Sequence, residues 1–207
     1  MAVARPRPRT LEEFRQLPEG PPCYEFEERE IVPITSPRPV HQDIVDERIF
    51  ALKAYVREKQ AGRVLREVDV YLPDGQVFIP DITVLTTERM SCLSPVDGKM
   101  HGAPDMVAEV TSGDALRDRL HRFEIYLRNG VTCYWIVGQA TLAIEEYRAT
   151  PEGYLRVSSV APGQTFAPGL FPGLTIDLAA LMGVTPEPQP ENDVRPSESE
   201  QRDREGA

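Results

Sequence analysis

The chain has 207 residues, 41% of them hydrophobic, with 20 prolines and a formal net charge of −10. This length favours one domain with tails and is enough to bury a core without disulfides or a structural metal. The acidic balance excludes a general polyanion binder acting through its overall field, since residues 24–183 alone carry −7, so any contact with nucleic acid has to be local or assisted by cations.

Residues 1–9 alternate Arg and Pro and are expected to be disordered. No apolar run follows this basic start, so no signal peptide is expected, and no stretch reaches the ~20 apolar residues of a membrane span. Thr10-Leu11-Glu12-Glu13 has the form of a capping box. It predicts a short helix with Leu11, Phe14 and Leu17 on one face, closed by Pro18 to Pro22. Tyr24 to Ile34 predicts two short strands around a charged turn. Val40 to Gln60 is the longest helical segment, with Ile44, Val45, Ile49, Leu52, Tyr55 and Val56 on its apolar face and Gly62 as its stop.

Val64 to Leu72 and Val77 to Leu85 are expected to be the two arms of one hairpin turning at Pro73-Asp74-Gly75-Gln76. Residues 87–104 show little periodicity and read as a loop over the sheet. Asp105 to Thr111 predicts a short strand. Ser112 or Asp114 is then expected to cap a helix running to Arg128 and ending at Asn129-Gly130. The apolar run Thr132 to Val137 predicts a strand covered on both faces, with Leu142 to Tyr147 as its hairpin partner. Leu155 to Val160 and Leu174 to Ile176 are weaker strands, and Leu178 to Leu181 a last helical turn. Residues 184–207 are polar and acidic and are expected to be a disordered tail.

Two carboxylates interrupt apolar strands: Asp81 in 77–85 and Glu109 in 105–111. A buried carboxylate costs several kcal/mol unless it meets a cation or a strong hydrogen-bond network. A hard cation such as magnesium, which takes oxygen ligands and keeps several waters, would satisfy both. An arginine from the following helix would also do so, and composition leaves the two open. Arg122 is the arginine best placed, four residues after Asp118 on one helical face.

The histidines His41, His101 and His121 lack metal-ligand spacing and read as surface or capping residues. Cys23, Cys92 and Cys133 lie far apart and read as buried or semi-buried thiols of a cytoplasmic protein. No phosphate-binding loop, dinucleotide fingerprint or nucleophile elbow is present. Phe78, Tyr126, Tyr134 and Trp135 fall at core-like positions, unsuited to base stacking.

Several short motifs occur in a recognisable order: Tyr24-Glu25 with Glu30, His41 opening the long helix, Leu72-Pro73-Asp74-Gly75 and Pro80-Asp81. They continue with Pro104-Asp105 through Ala108-Glu109-Val110 and Ser112, Asp118 through Arg122 to Tyr126, Gly130-Val131, and Tyr134-Trp135-Ile136-Val137. From about residue 10 to 183 this order resembles the Uma-type family of restriction endonucleases, within the PD-(D/E)XK nuclease superfamily. The resemblance implies an α/β domain over 10–183, restriction-endonuclease-like, with a central mixed β-sheet flanked by helices. It implies a magnesium site, open to manganese, formed by Asp81 and Glu109 with Glu25 as a further acidic contributor. DNA is the implied substrate, cut at its phosphodiester bonds with Arg122 steadying the phosphate. A homodimer is expected because nucleases that cut duplexes often pair.

The chain departs from the pattern at four places. Thr111 stands where the superfamily has its lysine, and Arg122 where the Uma-type pattern has one. Gly138-Gln139 replaces a usual Asp-Pro, and Arg29 a usual glycine. Arginine stays protonated and cannot act as a general base. The alternative is therefore a catalytically impaired nuclease-fold protein that binds DNA or a protein, with Arg122 in a buried salt bridge to Glu109 or Asp81. A third reading is a metal-dependent hydrolase of small phosphate esters.

Overall fold

The computed structural model describes residues 9–111 and 116–183. The arm before residue 9, the expected cap at Ser112 or Asp114, the side chains of 116–120 (Asp118 among them) and the tail 184–207 lie outside the described residues.

The capping box forms as expected: Thr10 accepts from the Glu13 N–H while Glu13 reaches back to the Thr10 N–H, opening α1 (Leu11–Arg15). Strands β1 (Tyr24–Glu27) and β2 (Glu30–Pro33) pair antiparallel. Their turn holds Glu28 and Arg29 at φ 46° and 67°, a left-handed conformation in which glycine is the easier occupant. Helix α2 (Pro39–Lys59) starts with proline in its first turn and ends at Gln60, itself left-handed at φ 50°. Gly62 is therefore not the helix stop. It opens β3 (Gly62–Arg66) at φ 131°, where a Cβ would collide with the Leu85 carbonyl of the paired strand.

The expected single hairpin is broken in both arms and shared between two sheets. Its tip, β4 (Val70–Tyr71) and β5 (Val77–Phe78), belongs to one sheet, while β3 and β6 (Ile82–Thr86) pair in the other. The breaks fall at Glu67, with φ 47°, and at Ile79-Pro80-Asp81, where proline has no N–H to donate. The segment expected to be a loop contains a 3₁₀ helix (Thr87–Cys92) and β7 (Met100–His101), which runs parallel to β4. The remaining strands are β8 (Met106–Thr111), β9 (Cys133–Gly138), β10 (Ile144–Thr150) and β11 (Gly153–Val160). Two further helices, α3 (Leu116–Arg128) and α4 (Leu178–Leu181), complete the order. Leu174 to Ile176 yields a single bridge, Phe166 with Ile176, and no strand.

The small sheet is ordered β2-β1-β5-β4-β7 and the large one β11-β10-β9-β8-β6-β3, with only β8–β9 parallel in the large sheet. Helix α2 lays Ile44, Leu52 and Val56 on one face of the large sheet, against Val84, Met106, Trp135 and Val137. The other face packs Leu85, Val107, Tyr134 and Ile136 against Ile125 and Tyr126 of α3 and against Val70, Phe78 and Met100 of the small sheet. This second core locks the two sheets together and fixes the seam between them. Cys133 is buried and Cys92 half-buried, but Cys23 is exposed, against expectation, because it follows the Pro21-Pro22 turn at the surface. Among the described residues no helix is long and apolar enough to cross a membrane.

Candidate functional site

The seam between the sheets gathers all four residues singled out in the sequence. Ile82 of β6 faces Ala108 of β8. Asp81, just before Ile82, and Glu109, just after Ala108, are thereby set opposite each other. The Val110 N–H donates to Asp81 Oδ2 at 2.7 Å. Asp81 thus lies in the break between β5 and β6 and not within a continuous strand.

Glu25 comes from β1 and is buried. Its Oε1 accepts from the Ile79 N–H at 3.0 Å, capping the backbone where the strand breaks. Helix α3 supplies Arg122 and, one turn on, Tyr126. Arg122 donates through Nη1 to Glu109 Oε1 at 2.8 Å and through Nη2 to Glu25 Oε2 at 2.6 Å. Its guanidinium lies over the Phe78 ring, 5.0 Å from the centroid. The Tyr126 hydroxyl donates to Glu109 Oε1 at 2.8 Å.

Burial sets the electrostatics. It raises the Glu25 carboxyl above its usual range, and the Arg122 charge only partly offsets this. Burial, joined by the Glu109 charge, lifts Asp81 to about 8, with the Val110 N–H pulling the other way. Burial also works against the Arg122 charge, but Glu109, Tyr126 and Glu25 outweigh it and hold the guanidinium ionised.

Two site residues escaped the sequence reading. His41, expected at the surface, places Nε2 3.0 Å from Asp81 Oδ1, with only 16% of either side chain exposed. Burial lowers its pKa. Its place in the motif order was the one available signal. Arg48, on the apolar face of α2, is fully buried, donates Nη1 to the Ile44 carbonyl at 2.8 Å, and has no described partner for Nε or Nη2. The other two histidines pair elsewhere, His101 with Asp97 and His121 with Glu27.

A cleft of about 1010 Å³ opens onto the seam. Asp81, His41, Val110, Arg38, Glu67 and Gln139 line it, whereas Glu25, Glu109 and Arg122 are not among its lining residues. Among the described residues, no three His, Cys, Asp or Glu side chains converge as a metal-binding cluster.

Magnesium is commonly held by only one or two carboxylates plus waters, and this donor set fits that pattern. Asp81 has no Arg or Lys at ion-pair distance among the described residues. Its elevated pKa is the mark of a desolvated carboxylate facing a second one. Glu109 keeps Oε2 clear of any described hydrogen bond. Glu25 has both oxygens engaged, one of them by the Arg122 guanidinium, and Asp81 has both in contact with neutral partners, the Val110 N–H and His41.

A family model, Uma2, described as "Putative restriction endonuclease", matches residues 11–179. Five solved chains match. One is described as "a putative nuclease belonging to DUF820 from Anabaena variabilis ATCC 29413". It superposes with a TM-score of 0.70 at 22% identity, covering 85% of this chain and 98% of its own. That likeness is one of fold. No curated protein matches.

Proposed function

The chain belongs to the Uma2 family of restriction endonucleases, and on that premise we propose that it is a magnesium- or manganese-dependent endonuclease hydrolysing DNA phosphodiester bonds. The observation that carries this reading is Asp81: a half-buried carboxylate set opposite Glu109, on the wall of a large cleft, with no Arg or Lys at ion-pair distance among the described residues, although the Arg122 and Arg48 charges act on it from further off.

In this reading Asp81 and Glu109 hold the divalent ion. Once bound, the ion would polarise the scissile phosphate and lower the pKa of a water. Val110 holds the Asp81 carboxylate through Oδ2, and Tyr126 fixes Glu109 through Oε1, so each acid keeps lone pairs for the ion. Arg122 supplies a permanent positive charge toward the phosphate and takes no proton. Glu25 holds Arg122 and the Ile79 backbone in place.

A second reading draws on the Arg122 bridge itself. A guanidinium spanning Glu25 and Glu109 already neutralises Glu109, as expected of a nuclease-fold protein that binds DNA or a protein without cutting. Incubating supercoiled plasmid with the protein and magnesium or manganese separates the two. Nicking that Asp81→Ala abolishes supports the nuclease. Absence of nicking, or equal nicking by the variant, supports the non-catalytic module.

A further inference from the structure

Asp81 is reached from α2 as well as from the strands. Its Oδ2 accepts from the Val110 N–H within the large sheet, and its Oδ1 faces His41 Nε2 at 3.0 Å from the first turn of α2. The last torsion of an aspartate is broad and roughly two-fold, so one anchor leaves the carboxylate free to turn about it. Two anchors, from two separate elements, fix its plane. His41 also lines the cleft beside Asp81, so it borders the place where an ion would arrive.

We propose that His41 is a positioning residue: its Nε2–H donates to Asp81 Oδ1 and, with the Val110 N–H, orients Asp81 toward a divalent ion. This inference rests on the metal site proposed above. Hydrogen-bond partners of ligating carboxylates typically contribute 10–100-fold in metal affinity. α2 then has a role beyond packing. Its N-terminal turn sets the metal carboxylate, while Ile44 and Leu52 further along the same helix anchor it to the large sheet.

The test is calorimetric titration of manganese into the full chain and into His41→Gln and His41→Asn, with melting temperatures measured alongside. Gln carries its amide nitrogen close to the position of Nε2, and Asn close to that of Nδ1. The parent is expected to bind. His41→Asn is expected to bind about 10–100-fold more weakly with little change in melting temperature, and His41→Gln to recover most of the loss. Equal affinity in His41→Asn and the parent would overturn the inference while leaving the metal site standing. Failure of Gln to do better than Asn would also overturn it. Absence of binding in the parent would overturn the metal site, and this inference with it.

Discussion

Arg122 Nη2 donates to Glu25 Oε2 at 2.6 Å across 97 residues of sequence, and its Nη1 donates to Glu109 Oε1 at 2.8 Å. One side chain of α3 thereby ties the small sheet, through β1, to the large sheet, through β8. Removing one member of such a buried set strands the others. Arg122→Met is expected to lower stability by about 3 kcal/mol, at the low end for a buried pair because a quarter of the arginine side chain is exposed. Urea unfolding at pH 7 measures it, and a loss under ~1 kcal/mol would contradict the linkage.

Arg48 is the opposite case. It is fully buried and burial lowers its pKa to about 9, yet two of its nitrogens have no described partner. The Asp81 charge favours the ionised guanidinium but lies beyond ion-pair distance, and burial outweighs it, so removing Arg48 removes a desolvation cost that is only partly offset. Arg48→Met is expected to melt at or above the parent temperature. A drop of several degrees would show that the guanidinium is compensated, by the Asp81 charge or by ordered water.

The elevated Asp81 pKa has a stability consequence with a definite sign. The folded state holds a proton up to about pH 8 that the unfolded chain releases near 3.8. Stability therefore falls as pH rises between those values, by at most about 1.4 kcal/mol per pH unit. Asp81→Asn removes this fall while keeping an acceptor for Val110. Without divalent ions, the variant should melt with the parent near pH 4 and above it at pH 8. Parallel melting curves across that range would show that the carboxylate is not raised.

Arg122→Lys separates charge from geometry. Lysine carries a point charge on one nitrogen and cannot span Glu25 and Glu109 as a planar fork does. Freed from that bridge, Glu109 has more capacity for an ion. Plasmid nicking in manganese is expected to rise about tenfold or more over the parent, the gain of a positioned proton-transfer group being typically 10²–10⁴-fold. Unchanged nicking would mean that Arg122 does not limit the site.

Local patterns made much of this legible. The capping box at Thr10, the apolar face of α2 and the two-sided burial of β9 each follow from neighbours in sequence. What escaped was set by distant partners. Period-two alternation continues through Ile79-Pro80-Asp81, so it cannot show that the strand leaves one sheet for the other there. The break opens the seam that Asp81 occupies. His41 reads as a surface residue because its partner is 40 residues away. Arg48 lies inside an apolar helical stripe, where pattern alone assigns a charged residue to solvent. Arg122 and Glu109 each stand out in the sequence, but the bridge that Arg122 makes between Glu109 and Glu25 depends on how α3 crosses the seam.

The most direct measurement of the central claim is a calorimetric titration of magnesium and of manganese into the purified protein and into Asp81→Ala. Binding in the parent that vanishes in the variant is the predicted result. No binding in either would contradict the account, and would mean that at Glu109 the Arg122 guanidinium takes the place of a metal ion.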